Sequence, residues 1–249
     1  MVDPVVHLFN GPYVVIGGSR REVPEGSKRL LVYVAMGGAR IDRRVAANTL
    51  WPVGTEERAA GNLRSALWRL RGAGIELVEA DKYALRLHPG TSVDLHAVCA
   101  RAARVLAGAP DGDDLDLASW LVPEVELLPG WYEDWVVFER ERLRQRLLHG
   151  LEALSQHLVR IGQCAAAIEA AMHVVGVDPL RESAQRVLLE AHLAEGNVVE
   201  ARRSYEAYRV LAARELGAAP GAAMTALVRP GAPVALLRPP ARRVSAGGR

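Results

Sequence analysis

Apolar positions along the chain change period twice. VVHLF (5–9) and YVVI (13–16) are short β-branched and aromatic runs, and the Asn10-Gly11-Pro12 between them carries the Asn-Gly pair that tolerates the positive φ of a hairpin turn. Gly17-Gly18-Ser19 turns the chain toward a third short strand near Glu22-Val23. The spacing then becomes helical. KRLLVYVAMGG reads as a helix that Ser27 can cap and Gly37-Gly38 ends. A second helix runs from about Arg43 to Leu50, stopped by Trp51-Pro52 and Gly54. Thr55 can cap a third, with Glu56 and Glu57 in the first turn, where the helix dipole favours negative charge, and Gly72 and Gly74 close it. IELVEADKYALRL returns to period two, as two strands around Asp81-Lys82. Strands, three helices and a hairpin in that order predict a winged helix over residues 1–92.

From Val93 the helical period persists. DLHAVCARAARVLAG is one amphipathic helix, and DGDDLD and VPEVELLPG supply loops. Four further helical stretches follow, beginning at about residues 135, 164, 180 and 198. Gly162, Ala167 and Ala171 recur as Gly196, Ala201 and Tyr205, each 34 residues on, which is the tetratricopeptide period of paired antiparallel helices. The expected proline matches less well: after Pro179 the next is Pro220, later than the period predicts. The predicted fold class is therefore mainly α: an α+β winged helix, then an all-α tetratricopeptide-like domain over 93–228. Residues 229–249, rich in Pro, Gly and Arg and without a period, read as a disordered basic tail.

The third helix contains NLRSALWRLR (62–71). At roughly 100° per residue, Leu63, Leu67 and Leu70 fall in one sector with Ala66 at its edge. Arg58, Gly61, Ser65, Trp68 and Arg69 lie on the far side with Asn62 beside them, and Arg64 and Arg71 flank the leucines. No carboxylate occurs from Arg58 to Arg71, whereas a merely solvated face usually mixes charge signs. Gly61 in mid-helix costs about 1 kcal/mol against alanine, and close approach to another backbone would explain it. Such a helix fits a duplex major groove, where arginine suits guanine edges and phosphates. The alternative is that Trp68 packs on a neighbouring element and the arginines face solvent.

Charge sharpens this reading by its distribution. Of 31 basic residues only Lys28 and Lys82 are lysine, so arginine abundance by itself says little. Residues 1–92 carry a net +4, residues 93–228 a net −7 and the tail +5, a basic front joined to an acidic middle. No run approaches the roughly 18 apolar residues of a membrane span, and no secretory signal opens the chain, so a soluble, cytoplasmic protein without a membrane partner is expected. Cys99 and Cys164 read as small buried thiols. Seven scattered histidines lack metal-ligand spacing, and Asp111, Asp113, Asp114 and Asp116 lack the order of a calcium loop. Neither a metal, a cofactor nor an enzymatic activity is expected.

The residues also resemble a known family. LW (50–51), its spacing to NLRSALWRLR, and YALRLHPGTSVDLHAV are similar to the DNA-binding domain of Streptomyces antibiotic regulatory proteins, whose winged helix is of the response-regulator type. LPGWYEDWVVFERERLRQ, DPLRESAQRVLLEAHLAEGN and RRSYEAYRVLAARELGAAPG look like the bacterial transcriptional activator domain that follows it there. The resemblance spans about residues 5–228. It implies a transcriptional activator that binds promoter direct repeats and contacts RNA polymerase holoenzyme, with self-association on DNA and a small-molecule effector left open. Arg69 and Arg71 match the arginines ending the family's recognition helix, Ser65 and Trp68 match variable DNA-facing positions, and Lys82 and Tyr83 match the wing tip. Trp68 departs from the serine or arginine more usual there. With no GxxxxGK(S/T) in the sequence and little of it after Val228, neither the ATPase module nor the phosphopeptide-binding domain of larger members is expected. The resulting DNA-binding set is Arg58, Asn62, Arg64, Ser65, Trp68, Arg69, Arg71, Lys82 and Tyr83. The rival reading is a protein-interaction scaffold built on the repeats, with little specific DNA binding.

Overall fold

The computed structural model describes residues 3–120 and 126–229. The tail expected over 229–249 lies, apart from Arg229, outside the described residues. The chain forms two compact units, one of Met1–Ala100 with Pro123–Glu141, the other of Arg101–Val122 with Arg142–Arg249.

In the first unit, β1 (Val5–His7) pairs antiparallel with β2 (Tyr13–Ile16), and β2 with β3 (Ser19–Glu22). Asn10 takes φ 50°, as its place in the turn requires. A Cβ on Gly11 would stand 2.1 Å from the His7 carbonyl oxygen, so only glycine fits there. α1 (Glu25–Gly37) starts directly after Pro24, whose fixed φ suits a helix entry, and ends at Gly38 in the left-handed region. Ser27 is therefore not the cap expected from the sequence. It lies inside the first turn, fully buried, and its hydroxyl donates to the Ala66 carbonyl at 2.9 Å.

β4 (Ile41–Asp42) leads into α2 (Arg43–Leu50), and α3 (Glu56–Gly72) follows a five-residue turn. β5 (Val78–Ala80) and β6 (Ala84–Leu87) form the hairpin, and β4 pairs with β6 to complete a three-stranded sheet ordered β4-β6-β5. β7 (Ser92–Val93) adds parallel to β1, so the other sheet runs β3-β2-β1-β7. The core between these layers holds Leu30, Leu31, Leu50, Leu63, Leu70, Ile75 and Leu85.

Residues 126–141 return to this unit. Asn10 donates its amide to the Glu126 carbonyl at 3.0 Å, and Leu128 donates to Leu8 at 3.0 Å. The Arg140 guanidinium gathers the carbonyls of Leu127 at 2.7 Å, Trp131 at 2.8 Å and Leu128. Arg29 donates to Glu133 at 2.7 Å, and Tyr33 meets Trp135 edge-on.

α4 (Asp94–Leu106) and α5 (Asp134–Arg160) each contribute residues to both units. In the second unit α6 (Cys164–Val177) packs on α7 (Glu182–Glu195), α7 on α8 (Val198–Leu216), and α9 (Ala222–Leu227) closes the series. Gly162 and Gly196 both take positive φ, at the turns that precede α6 and α8, and Ala167 and Ala201 are both fully buried. The 34-residue repeat is thus a repeat of packing. Trp120 is buried against α5, where a Cβ on Gly150 would stand 2.6 Å from its ring, so the helix carries glycine at that contact. Cys99 and Cys164 are free and half-buried rather than fully buried, and burial pushes the Cys164 thiol up. Among the described residues no helix is long and apolar enough to cross a membrane.

Asp114 and Glu152 are the buried carboxylates among the described residues of this unit, and Asp114 is the more buried. Its carboxylate, 1% exposed, accepts from Arg104 at 2.6 and 2.8 Å and from the Asp111 amide at 2.9 Å. The Arg104 hydrogen bond, above all, holds its carboxyl below the ordinary value of 3.8. A carboxyl depressed on folding contributes stability above its unfolded value that is lost as pH falls through the folded one. Asp114→Asn is expected to lower the melting temperature at neutral pH and flatten its decline in acid. Identical melting of variant and parent at neutral pH would contradict this.

Candidate nucleic-acid interface

α2 and α3 form a helix-turn-helix whose caps are written locally. The Asp42 carboxylate accepts from the Arg44 and Val45 amides at 2.8 and 3.0 Å, which starts α2. Gly54, at φ 115°, lets the turn reverse, and the Thr55 hydroxyl accepts from the Arg58 amide at 3.3 Å. Glu56 pairs with Arg44 at 3.1 Å, tying the first turn of α3 to α2. The carboxyl of Glu57 is held below its usual range, first by a backbone hydrogen bond and then by Thr55.

The facing of α3 follows the leucine stripe. Leu63, Leu67 and Leu70 are buried together with Ala59 and Ala66, against α1 and α2. Arg58, Arg64, Ser65, Trp68, Arg69 and Arg71 are exposed, and Asn62 is half-buried. Trp68 is 75% exposed, so within the first unit it does not pack on the preceding helix. A Cβ added to Gly61 would meet only the tip of Arg64, at 3.8 Å, so nothing in the fold itself calls for glycine there.

Pairing separates the cations of this unit into two groups. Arg20, Lys28, Arg29, Arg40, Arg44, Arg86 and Arg140 each have a carboxylate within 4.0 Å. Arg21, Arg43 and Arg69 donate to the backbone carbonyls of Gly74, Asp81 and Gly26. Among the described residues of the first unit, the remaining lysines and arginines are Arg58, Arg64, Arg71 and Lys82. All four belong to the set picked out by sequence. Arg69 differs from them: its Nη1 reaches the Gly26 carbonyl at 3.3 Å, in the first turn of α1, so it helps to hold α3 in place and keeps only part of its donor set free.

The wing is organised by a residue that sequence reading treated only as a polar turn. Asp81 accepts from the Tyr83 and Ala84 amides at 2.6 and 2.7 Å, from Arg40 at 2.9 Å, and through its carbonyl from Arg43 at 2.8 Å. The Tyr83 amide contributes most to holding its carboxyl below the usual range. These bonds fix the tip, where Lys82 lies 5.3 Å from the centre of the exposed Tyr83 ring. Lys82 and Tyr83 join Ala60 and Leu63 of α3 and Ala47 and Asn48 of α2 around a hollow of about 370 Å³. The wing tip is thereby brought beside the first half of α3, while Arg69 and Arg71 stand at its far end.

The sequence model of the bacterial transcriptional activator domain matches residues 42–230, from the cap of α2 through the helical repeats. No curated protein matches the sequence. Among solved structures, Mycobacterium tuberculosis EmbR in complex with a low affinity phosphopeptide is similar, with a TM-score of 0.74 and 19% identity over 96% of this chain. That likeness speaks for the fold, a winged helix followed by helical repeats as expected from the sequence. This chain spans 66% of the EmbR chain, just under two thirds of it.

Gly61→Ala is expected to stabilise the protein by about 0.5–1 kcal/mol, because a helix-interior glycine is replaced where the added methyl meets no obstacle. Denaturant unfolding measures this, and a destabilised variant would mean that packing within the fold requires the glycine.

Proposed function

The chain belongs to the bacterial transcriptional activator domain family, and on that premise we propose that it regulates transcription by binding double-stranded DNA through α3 and the β5–β6 wing. One observation carries the proposal: among the described residues of the first unit, the cations left without a carboxylate or carbonyl partner are Arg58, Arg64, Arg71 and Lys82. An exposed guanidinium or ammonium without an anion suits a phosphate or a base edge, and phosphate contacts supply most of the affinity of a DNA reader. The first turn of α3 is acidic, with Glu56 taken up by Arg44, so the contact centres on the part of the helix from Arg58 onward.

In this reading Arg58, Arg64, Arg71 and Lys82 meet phosphates or guanine edges, Arg69 splits its donors between Gly26 and DNA, and Asn62 and Ser65 contribute polar contacts. Tyr83 lies with Lys82 against the sugar-phosphate backbone. Gly61 gives the duplex room to approach. Family membership supports the rest: binding at promoter direct repeats, contact with RNA polymerase holoenzyme, and activation rather than repression. The helical repeats after about residue 93 are the part that would dock a protein partner.

Selection of the full chain on a pool of random duplexes tests the proposal. A discrete enriched motif is expected, and Gly61→Ala, although more stable, should bind that motif severalfold more weakly, since its new methyl stands where the duplex approaches. A pool that stays random after repeated rounds would contradict sequence-specific binding and favour a protein-interaction scaffold.

A further inference from the structure

The outward side of α3 is made of small residues around one large one. Opposite the leucine stripe, Gly61, Ser65 and Gly72 share the face of Trp68. Trp68 is three-quarters exposed, and among the described residues it has neither a hydrogen bond, a ring contact nor a cation over its face. A tryptophan that docks on a protein partner is usually the centre of a wider apolar patch. Its helix neighbours here are Gly, Ser and Arg, and they add no apolar side chain to it. Its surroundings are instead cationic on both flanks. Arg64 and Arg71 lie to one side of it around the helix, and Arg58 and Arg69 to the other, with no carboxylate between positions 58 and 71.

That arrangement fits a duplex whose phosphates meet the flanking arginines while the indole points at the floor of the major groove. The distinctive apolar group on base edges in that groove is the C5 methyl of thymine. The indole has a donor and no acceptor, so it cannot copy the bidentate contacts of Arg or Asn, but its flat face covers a methyl well. We infer that Trp68 is a specificity residue that reads thymine through its methyl group. It sets a preference for T over C at one position of each bound site. The inference rests on the DNA-binding reading above and adds the chemical group that this side chain recognises.

Deoxyuridine pairs as thymine does and lacks only the methyl, so it isolates the contact. Starting from a selected duplex, each thymine is replaced in turn by deoxyuridine, and affinity is measured by fluorescence anisotropy for the full-length parent, Trp68→Ala and Trp68→Phe. For the parent, one replacement per site should weaken binding roughly fourfold, the effect of one apolar carbon group taken from water. Trp68→Ala should bind thymine and deoxyuridine equally at that position with an unchanged salt dependence, and Trp68→Phe should keep part of the discrimination. The variants differ at an exposed position, and a far-UV spectrum and melting curve equal to the parent's confirm folding. If the parent binds its motif yet every replacement is neutral, or if Trp68→Ala keeps the penalty, the thymine contact is overturned and DNA binding stands. If no duplex is bound at all, the DNA-binding reading falls and this inference with it.

Discussion

Burial of Leu63, Leu67 and Leu70 against α1 and α2 fixes the rotation of α3, and the candidate interface depends on that rotation. Each leucine taken from water contributes about 1.5–3 kcal/mol, and the stripe works as a unit because its members share one sector of the helix. Turning α3 by one residue position in either direction would carry Arg64 and Arg71, or Arg58 and Arg69, into the core, where an unpaired charge is far costlier than the leucine it displaces. The Ser27 hydroxyl on the Ala66 carbonyl and the Arg69 guanidinium on the Gly26 carbonyl fasten the same helix to the start of α1. The outward face is thereby set by what lies on the inward one.

A second level of order is the division of cations. Paired arginines such as Arg29 with Glu133 and Arg40 with Asp81 organise the fold around the helix-turn-helix. Such exposed pairs contribute little stability each, but they remove these side chains from competition for an external anion. Among the described residues of the first unit, what is left over collects on α3 and the wing tip. In an arginine-rich chain that is more informative than the number of arginines.

Much of this was legible in the sequence, and the exceptions have physical causes. α2 and α3 were placed by local signals, namely Thr55 as a cap, Pro52 and Gly54 as breakers, and a helical apolar period, whereas the Asp42 cap of α2 emerged only from the structure. The side of α3 that faces inward followed from the leucines alone, and the 34-residue spacing gave the repeat. Ser27 misled because a serine before an apolar run looks like a cap, whereas Pro24 had already set the helix start and left the hydroxyl free to bond across to α3. β4 and β7, two residues each, exist only through pairing with partners far along the chain and carry no period of their own. The pairing state of each arginine was equally hidden, since Arg29 and Glu133 are more than a hundred residues apart. The return of residues 126–141 to the first unit likewise rests on backbone groups and the reach of Arg140.

The central claim is that the unpaired cations of the first unit, and not arginines in general, form the DNA interface. The most direct measurement is the salt dependence of affinity for a fixed duplex, in the parent and in single alanine variants. Four phosphate contacts at roughly −0.9 each predict a slope of log affinity against log salt of about −3.6. Arg58→Ala, Arg64→Ala, Arg71→Ala and Lys82→Ala should each lessen that slope by about one, whereas Arg44→Ala and Arg86→Ala should leave it unchanged. A flat salt dependence, or equal effects from the paired and unpaired positions, would contradict the account.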